Sequence, residues 1–248
     1  MFDVGSRVIK CAIGDEQNNI VALEEKRPTV TCSEDGFCRA CDESSYWDDI
    51  IGLTKKTIVT ANIDPQKIKF ITSSSIRPSC VFTDEDLKPL YIGSSFDLRG
   101  MDSADVLEEQ FSHVTGKTTF DATGHFPSFM FSPSRYAWYK ENKREICGKI
   151  TRYLPVDSWI LCMFGGEEHA NISSAAESGF FDIKERLWNR EWIDILDLND
   201  DFFPAVIFAG EVVGNISPEI QKELGLSPDV AIVSGLPDRK STRLNSSH

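Results

Sequence analysis

No apolar run in these 248 residues approaches the roughly 18 to 20 that a membrane-spanning helix needs, and the N-terminus has no charged-then-apolar signal pattern. The expectation is a soluble, cytoplasmic protein with no membrane partner. Basic residues are in deficit: 26 Lys and Arg stand against 39 Asp and Glu, a net charge of −13, with the acidic residues spread along the chain. Nucleic acid is therefore excluded as a partner, because phosphate backbones are bound through clustered Lys and Arg. Seven cysteines, an odd number without a secretion signal, point to reduced thiols. Cys38-Arg39-Ala40-Cys41, with Cys32 nearby, has zinc-knuckle spacing. No second C-x-x-C pair follows, and the nearest histidine, His113, is far away, so surface-loop thiols are favoured over a metal site. Internal repeats and low-complexity linkers are also missing. With 41% hydrophobic and 10% aromatic residues, the chain reads as one globular α/β domain long enough to bury a substantial core.

The most suggestive local pattern stands at the start. Phe2-Asp3-Val4 and Val8 to Ile13 are short apolar strands joined by Gly5-Ser6-Arg7, giving D-x-G-S-x-x-x-K with Lys10. A carboxylate at a strand end holds Mg²⁺ through water, and Gly5 lets the backbone approach a phosphate with no Cβ in the way. Ser6 adds a hydroxyl and Lys10 a point charge. The competing reading is an ordinary β-hairpin whose turn uses Gly and Ser for their turn chemistry.

Further along, Asn19 to Leu23 reads as a third strand, 31–45 as a polar loop, and Tyr46 to Asn62 as a helix capped by Ser44 or Ser45 and ended by Ile63-Asp64-Pro65. Lys67 to Thr72 is strand-like and hands over to Ser73-Ser74-Ser75. Ligands bind at the carboxyl ends of strands in open α/β sheets, which makes Ser74 to Ser79 a candidate substrate loop. Cys80 to Thr83 and Pro89 to Ile92 form a hairpin. Helices are expected over Ala104–Val114, Ser134–Ile150, Ile193–Leu198 and Pro218–Leu224, and strands over Val206–Phe208 and Val230–Val233. The aromatic residues around Tyr136, Trp138 and Tyr139 suit core packing better than a sugar platform.

Residues 238–248, DRKSTRLNSSH, are polar, basic and without periodicity, unlike what precedes them. The string resembles one reading frame of a sequencing-library adapter, and such segments are set aside from fold reasoning. The alternative is a natural disordered C-terminus. On the adapter reading the gene product stops near Pro237.

Several segments, in order, resemble the FGGY carbohydrate kinases. Asp3-Val4-Gly5-Ser6 with Lys10 resembles the family's first phosphate segment, and Gly36-Phe37 and Tyr46-Trp47 fall where it has a Gly-Trp and a second Trp. Asp97-Leu98-Arg99 resembles its D-x-R. Thr123-Gly124 followed by Phe131-Ser132-Pro133-Ser134-Arg135-Tyr136-Ala137-Trp138 is similar to "TG … FSPSKLLW". Leu154-Pro155-Val156-Asp157-Ser158-Trp159 stands for its "LPKDYL" strand entry. Ser174-Ala175 through Gly179-Phe180-Phe181-Asp182, and Gly210-Glu211-Val212-Val213-Gly214, resemble two later stretches.

The resemblance implies an actin-like, ribonuclease-H-like lobe, a mixed sheet flanked by helices, spanning 1–237. It binds a sugar or polyol and is normally followed by a second, ATP-binding lobe that is absent here. ATP and Mg²⁺ are the implied cofactors, with Asp3 positioning Mg²⁺ through water and Gly5, Ser6 and Lys10 meeting phosphates. Ser75, Arg77, Pro78, Asp97 and Arg99 are the implied substrate residues, although Asp97 and Arg99 equally suit an ion pair that pins a loop. Asp238 matches the catalytic base by location, yet it is also the first residue of the adapter-like string. A homodimer of the full-length protein is a further expectation.

The substrate loop departs from better-known members: xylulose kinases show Met-His and glycerol kinases Arg-Glu where this chain has Arg77-Pro78. Met130 stands for a tyrosine of the glycerol kinases, and Asn171 for a common Asp. The alternative to a kinase is a non-catalytic actin-like nucleotide-binding or sugar-sensing module. Without the second lobe, the 248-residue chain is expected to transfer no phosphoryl group and to leave apolar side chains in water where that lobe would sit.

Overall fold

The computed structural model describes residues 1–93 and 96–235. The chain opens with the expected meander, β1 (Phe2–Val4), β2 (Ile9–Gly14) and β3 (Ile20–Lys26). The segment read as a polar loop holds a second hairpin instead, β4 (Val30–Cys32) with β5 (Arg39–Cys41). Its strand character is hidden because the residues it buries are small, Ala40 and Cys41. Cys41 thereby enters the core, and burial pushes its thiol up to about 12. Helix α1 (Tyr46–Ala61) starts after Ser45, whose hydroxyl donates to Asp42 at 2.8 Å rather than capping the helix. It stops at Asn62, which is left-handed with φ 49°.

Strand β6 (Phe70–Ser75) runs through the serine triplet, so the candidate substrate loop begins only at Ile76. Strands β7 (Val81–Thr83) and β8 (Pro89–Gly93) form the predicted hairpin. Helices α2 (Ala104–Thr115) and α3 (Thr119–Thr123) follow, and the single helix expected over 134–150 breaks at Lys143 into α4 (Ser132–Asn142) and α5 (Arg144–Cys147). After β9 (Arg152–Leu154), the segment read as a strand entry is helix α6 (Val156–Phe164). A short apolar run does not by itself separate strand from helix; here Pro155 at the cap position and Asp157 in the first turn decide it. The remainder is β10 (His169–Asn171), α7 (Ile172–Ala176), β11 (Phe181–Asp182), β12 (Leu187–Trp188), α8 (Glu191–Leu196), β13 (Ala205–Ile207), β14 (Val212–Asn215), α9 (Pro218–Leu224) and β15 (Ala231–Val233).

A mixed six-stranded sheet of order β14-β15-β6-β1-β2-β3 forms the centre, with β1 and β15 parallel to β6 and the other neighbours antiparallel. Alternation turns Phe2, Val4, Ile9, Cys11, Ile71 and Ile232 to one face, where α1 and α6 cover them. Phe2 stacks on Phe164 of α6 at 5.3 Å. A second, antiparallel sheet of order β4-β5-β8-β7-β9 packs on α4 through Phe82, which Tyr91, Tyr136, Tyr139, Tyr153 and Phe202 surround, and Phe111 of α2 and Trp192 of α8 belong to the same core. The aromatic residues Tyr136 and Tyr139 of α4 are thus core. No described helix is long and apolar enough to cross a membrane.

Candidate active site

Because β1 and β15 both run parallel to β6, three strands finish at the same edge of the sheet, with Val4 opposite Ser75 and Val233 opposite Thr72. Three connections therefore meet there: the Gly5–Val8 turn, the loop from Ile76 to Cys80, and Ser234-Gly235. The Ile76 amide donates to the Val4 carbonyl at 2.9 Å, and the Gly5 amide to the Val8 carbonyl at 3.0 Å. Packing at this edge is tight enough to dictate residue type. A Cβ on Gly5 would lie 2.9 Å from the Val8 carbonyl oxygen, and one on Gly235 only 1.9 Å from that of Ser73.

Asp3, Lys10 and Ser74 form one row across β2, β1 and β6, on the face away from the core. Lys10 Nζ lies 3.6 Å from Asp3 Oδ2, both side chains being partly exposed. Ser6 is half-buried in the turn. Ser75 points the other way. Its hydroxyl is buried, donates to Asp157 Oδ1 at 2.9 Å and sits 3.2 Å from that of Ser79, which accepts from the Val156 amide at 3.2 Å. Asp157 also accepts from the Ser174 hydroxyl at 3.3 Å. Burial raises the Asp157 carboxyl above its ordinary range, opposed by the hydrogen bond from Ser75 and the charge of His169. His169, likewise buried, has its pKa lowered, and its Nδ1 lies 2.8 Å from the Glu167 carbonyl oxygen.

Arg77, in the loop, reaches Glu177 at the end of α7, with Nη1 3.4 Å from Oε1. The Arg77–Pro78 peptide is cis. At the other end of α7, Asn171 accepts from the Ser173 amide and donates to the Gly235 carbonyl at 2.9 Å. Helix α7 thus ties the substrate loop to the chain leaving β15. Asp157, Asn171 and Glu177 are the residues that the geometry adds. Asp157 had a readable signal as an early residue of a helix; Glu177 had none.

Asp97 and Arg99 are buried in the second core, with Cys80, the last residue of the Ile76–Cys80 loop, within reach of their charges. Asp97 has no exposed surface, and it accepts from the Tyr91 hydroxyl at 2.8 Å and from the Arg39 and Arg99 amides at 3.2 Å. Arg99 Nε is 2.6 Å from Asp97 Oδ2 but off the line of a hydrogen bond, so the contact is an ion pair. Its guanidinium sits over the rings of Tyr91, Trp138 and Tyr139 and donates to the Tyr139 hydroxyl at 2.6 Å. Asp238 lies outside the described residues, three positions beyond Gly235. A separate groove of about 330 Å³ runs between Ile172, Arg186–Trp188 and Pro204–Phe208, with Leu187 and Phe208 largely exposed. Apart from Arg186 its walls are apolar, so it offers little to hold a hydroxylated ligand.

The chain is 25% identical over 223 residues to the glycerol kinase of Thermococcus kodakarensis, covering 88% of this chain and 44% of that protein. It is 26% identical over 252 residues to a protein of Pasteurella multocida named "Probable L-xylulose kinase", covering 98% and 50%. Among solved structures, gluconate kinase from Lactobacillus acidophilus superposes with a TM-score of 0.83 at 22% identity, over 96% of this chain and 47% of that one. The chain therefore spans about half the length of the relatives it matches, and it shares their actin-like, ribonuclease-H-like fold. The profile of the N-terminal domain of the FGGY family of carbohydrate kinases matches residues 1–245, nearly the whole chain, and to that family the chain belongs.

Proposed function

We propose that this chain is the sugar- or polyol-binding half of an ATP-dependent carbohydrate kinase, acting on a substrate hydroxyl held at the shared edge of β1, β6 and β15. The observation that carries this reading is the contact of Gly235 with Ser73: it brings the end of the chain leaving β15 against the strand that feeds the Arg77 loop, and Asp238 follows three positions later in the sequence. A base held there would stand beside a hydroxyl held by that loop. Asp238 is the proposed base.

The residues at β1 suit Mg²⁺ and phosphates. Mg²⁺ keeps several waters and takes one or two carboxylates together with substrate phosphates, so the single carboxylate of Asp3 fits it better than a cage would. Among the described residues, no group of three or more potential ligands forms such a cage. Bound ATP would supply the phosphoryl group, with Mg²⁺ offsetting its charge. Asp3 would hold the hydrated ion, Gly5 and Ser6 would let phosphate oxygens approach the turn, and Lys10 would add positive charge beside them. Arg77 and Pro78 would shape the substrate end, with Ser75 anchoring their loop from beneath. Asp97 and Arg99 act at a distance by fixing the segment that carries them.

The test is a titration of the ¹⁵N-labelled 248-residue chain with glycerol, xylitol, ribulose, xylulose and gluconate. At least one should shift the amides of Ile76, Arg77 and Ser79 together with those of Asn171 to Glu177. If none shifts them even at high concentration, the sugar-binding reading is wrong.

A further inference from the structure

Arg77 is the one residue of the candidate substrate loop with a charge to offer, and the structure shows that charge already answered. Glu177 stands 3.4 Å from its guanidinium, and both side chains keep some solvent access, at 17% and 26% exposure. The two residues come from separate segments a hundred positions apart, each placed by its own packing: Arg77 by the anchoring of Ser75 and Ser79, Glu177 by closure of α7. Within the loop, Pro78 offers no backbone N–H, so it adds no donor beside the guanidinium. Arg77 Nε has no hydrogen-bond partner among the described residues.

Building on the sugar-binding reading, we infer that Glu177 is a specificity-determining residue and that the site selects a neutral polyol or ketose over an aldonate. A guanidinium beside a carboxylate presents N–H donors and carboxylate acceptors at one spot, the complement of two neighbouring hydroxyls, each of which both donates and accepts. A sugar carboxylate would meet the same guanidinium with Glu177 already on it. Two like charges would then compete for one partner, and one of them would lose solvation without gaining a counter-ion. Two further cations lie near this edge: Lys10 has Asp3 beside it, and Arg7, in the Gly5–Val8 turn, lies over the Phe96 ring at 5.1 Å. The chain's overall charge of −13 works in the same direction.

The experiment measures dissociation constants by amide titration of the 248-residue chain with xylitol, D-xylulose, L-xylulose, D-ribulose, glycerol and D-gluconate, for the natural sequence and for Glu177→Gln and Glu177→Asp. At least one neutral pentitol or ketopentose should bind roughly tenfold or more tightly than gluconate. Glu177→Gln should reduce that preference at least tenfold, weakening the neutral ligand and strengthening gluconate, while Glu177→Asp should keep most of it. An unchanged thermal midpoint would show that the variants fold. If gluconate binds best, or if Glu177→Gln leaves the preference unaltered, this inference is overturned while the sugar-binding reading stands. If no member of the panel binds, both fall.

Discussion

Replacing Asp97 distinguishes a residue that holds the fold from one that holds substrate. In the structure its carboxylate has no exposed surface and answers four groups: the Tyr91 hydroxyl, two backbone amides and the Arg99 guanidinium. Asp97→Ala would leave Arg99, itself only 8% exposed, as a charge among three aromatic rings with no counter-ion. Removing one partner of a buried ion pair costs about 3–5 kcal/mol. A Tyr91 hydroxyl left without its acceptor costs about 1–3 kcal/mol taken alone, but the two losses share one network and do not add. The expected loss is therefore about 3–5 kcal/mol, a large part of the ~5–15 kcal/mol that a domain possesses. Asp97→Asn keeps the shape and one acceptor but not the charge, and should lose about 1.5–3 kcal/mol, the worth of a hydrogen bond to a charged group. Removing both charges, with Arg99→Leu added to Asp97→Ala, should cost much less than the two single changes summed. Urea unfolding of the ligand-free chain, followed by tryptophan fluorescence and by circular dichroism, reads these differences directly. A residue whose work is to touch substrate predicts no change in ligand-free stability, so an Asp97→Asn variant within about 0.5 kcal/mol of the natural sequence would refute the structural assignment.

Two other substitutions probe the strand-end site. Burial holds the Asp157 carboxyl above its ordinary 3.8, so the folded state binds that proton more tightly than the unfolded chain; the associated stability is present at low pH and is lost as pH climbs above the unfolded value. Asp157→Asn should therefore gain stability relative to the natural sequence between pH 4 and pH 7 in parallel urea titrations, and a difference that does not vary with pH would contradict the assignment. Gly235→Ala forces a Cβ to within 1.9 Å of the Ser73 carbonyl oxygen, which neither backbone can yield cheaply. A cost of about 1–3 kcal/mol in the same unfolding assay, together with loss of sugar-induced amide shifts, is expected; an unaltered melting curve would mean that the two segments are not in contact.

The sequence made some of this architecture legible and concealed the rest for identifiable reasons. The opening meander, the β7–β8 hairpin and helix α9 follow from apolar alternation, turn residues and caps that act within a few residues of each other. Helix α9 shows this most fully, with the Ser217 hydroxyl accepting from the Ile220 amide, Pro218 in the first turn and Gly225 left-handed beyond its end. The β4–β5 hairpin escaped because Thr31, Cys32, Arg39 and Ala40 carry no alternating bulk, and β5 is held in the sheet by its pairing with the distant β8. Helix α6 escaped because an almost wholly buried segment loses its periodicity: when every face of a short helix is packed, the sequence shows one continuous apolar run. The serine triplet read as the start of a loop, since serine is a turn former, yet its pairing with Phe2 to Val4 of β1 keeps it in the sheet.

The site divides along the same line, and the division is physical. Asp3, Gly5, Ser6 and Lys10 share one hairpin, so a local pattern was sufficient to group them, and the structure shows Asp3 and Lys10 as cross-strand partners. Arg77 could be singled out as the charge in a loop after a parallel strand, but its carboxylate lies a hundred residues on, in a stretch where no spacing rule points back to it. Asp157 is hidden in a second way: its bonds to Ser75 and Ser174 arise because α6 crosses under β6 and α7 follows β10, a consequence of topology rather than of neighbouring residues. Asp97 and Arg99 show the converse hazard. An acid and a base two apart beside a glycine look like a ligand clamp, and only the Tyr91, Trp138 and Tyr139 rings around Arg99 reveal that the pair faces inward. Local motifs therefore identify residues able to do chemistry, while the long-range partners decide whether their charge is free to do it. At Arg77 that partner is Glu177, 3.4 Å from the guanidinium, so the one charge of the loop is paired.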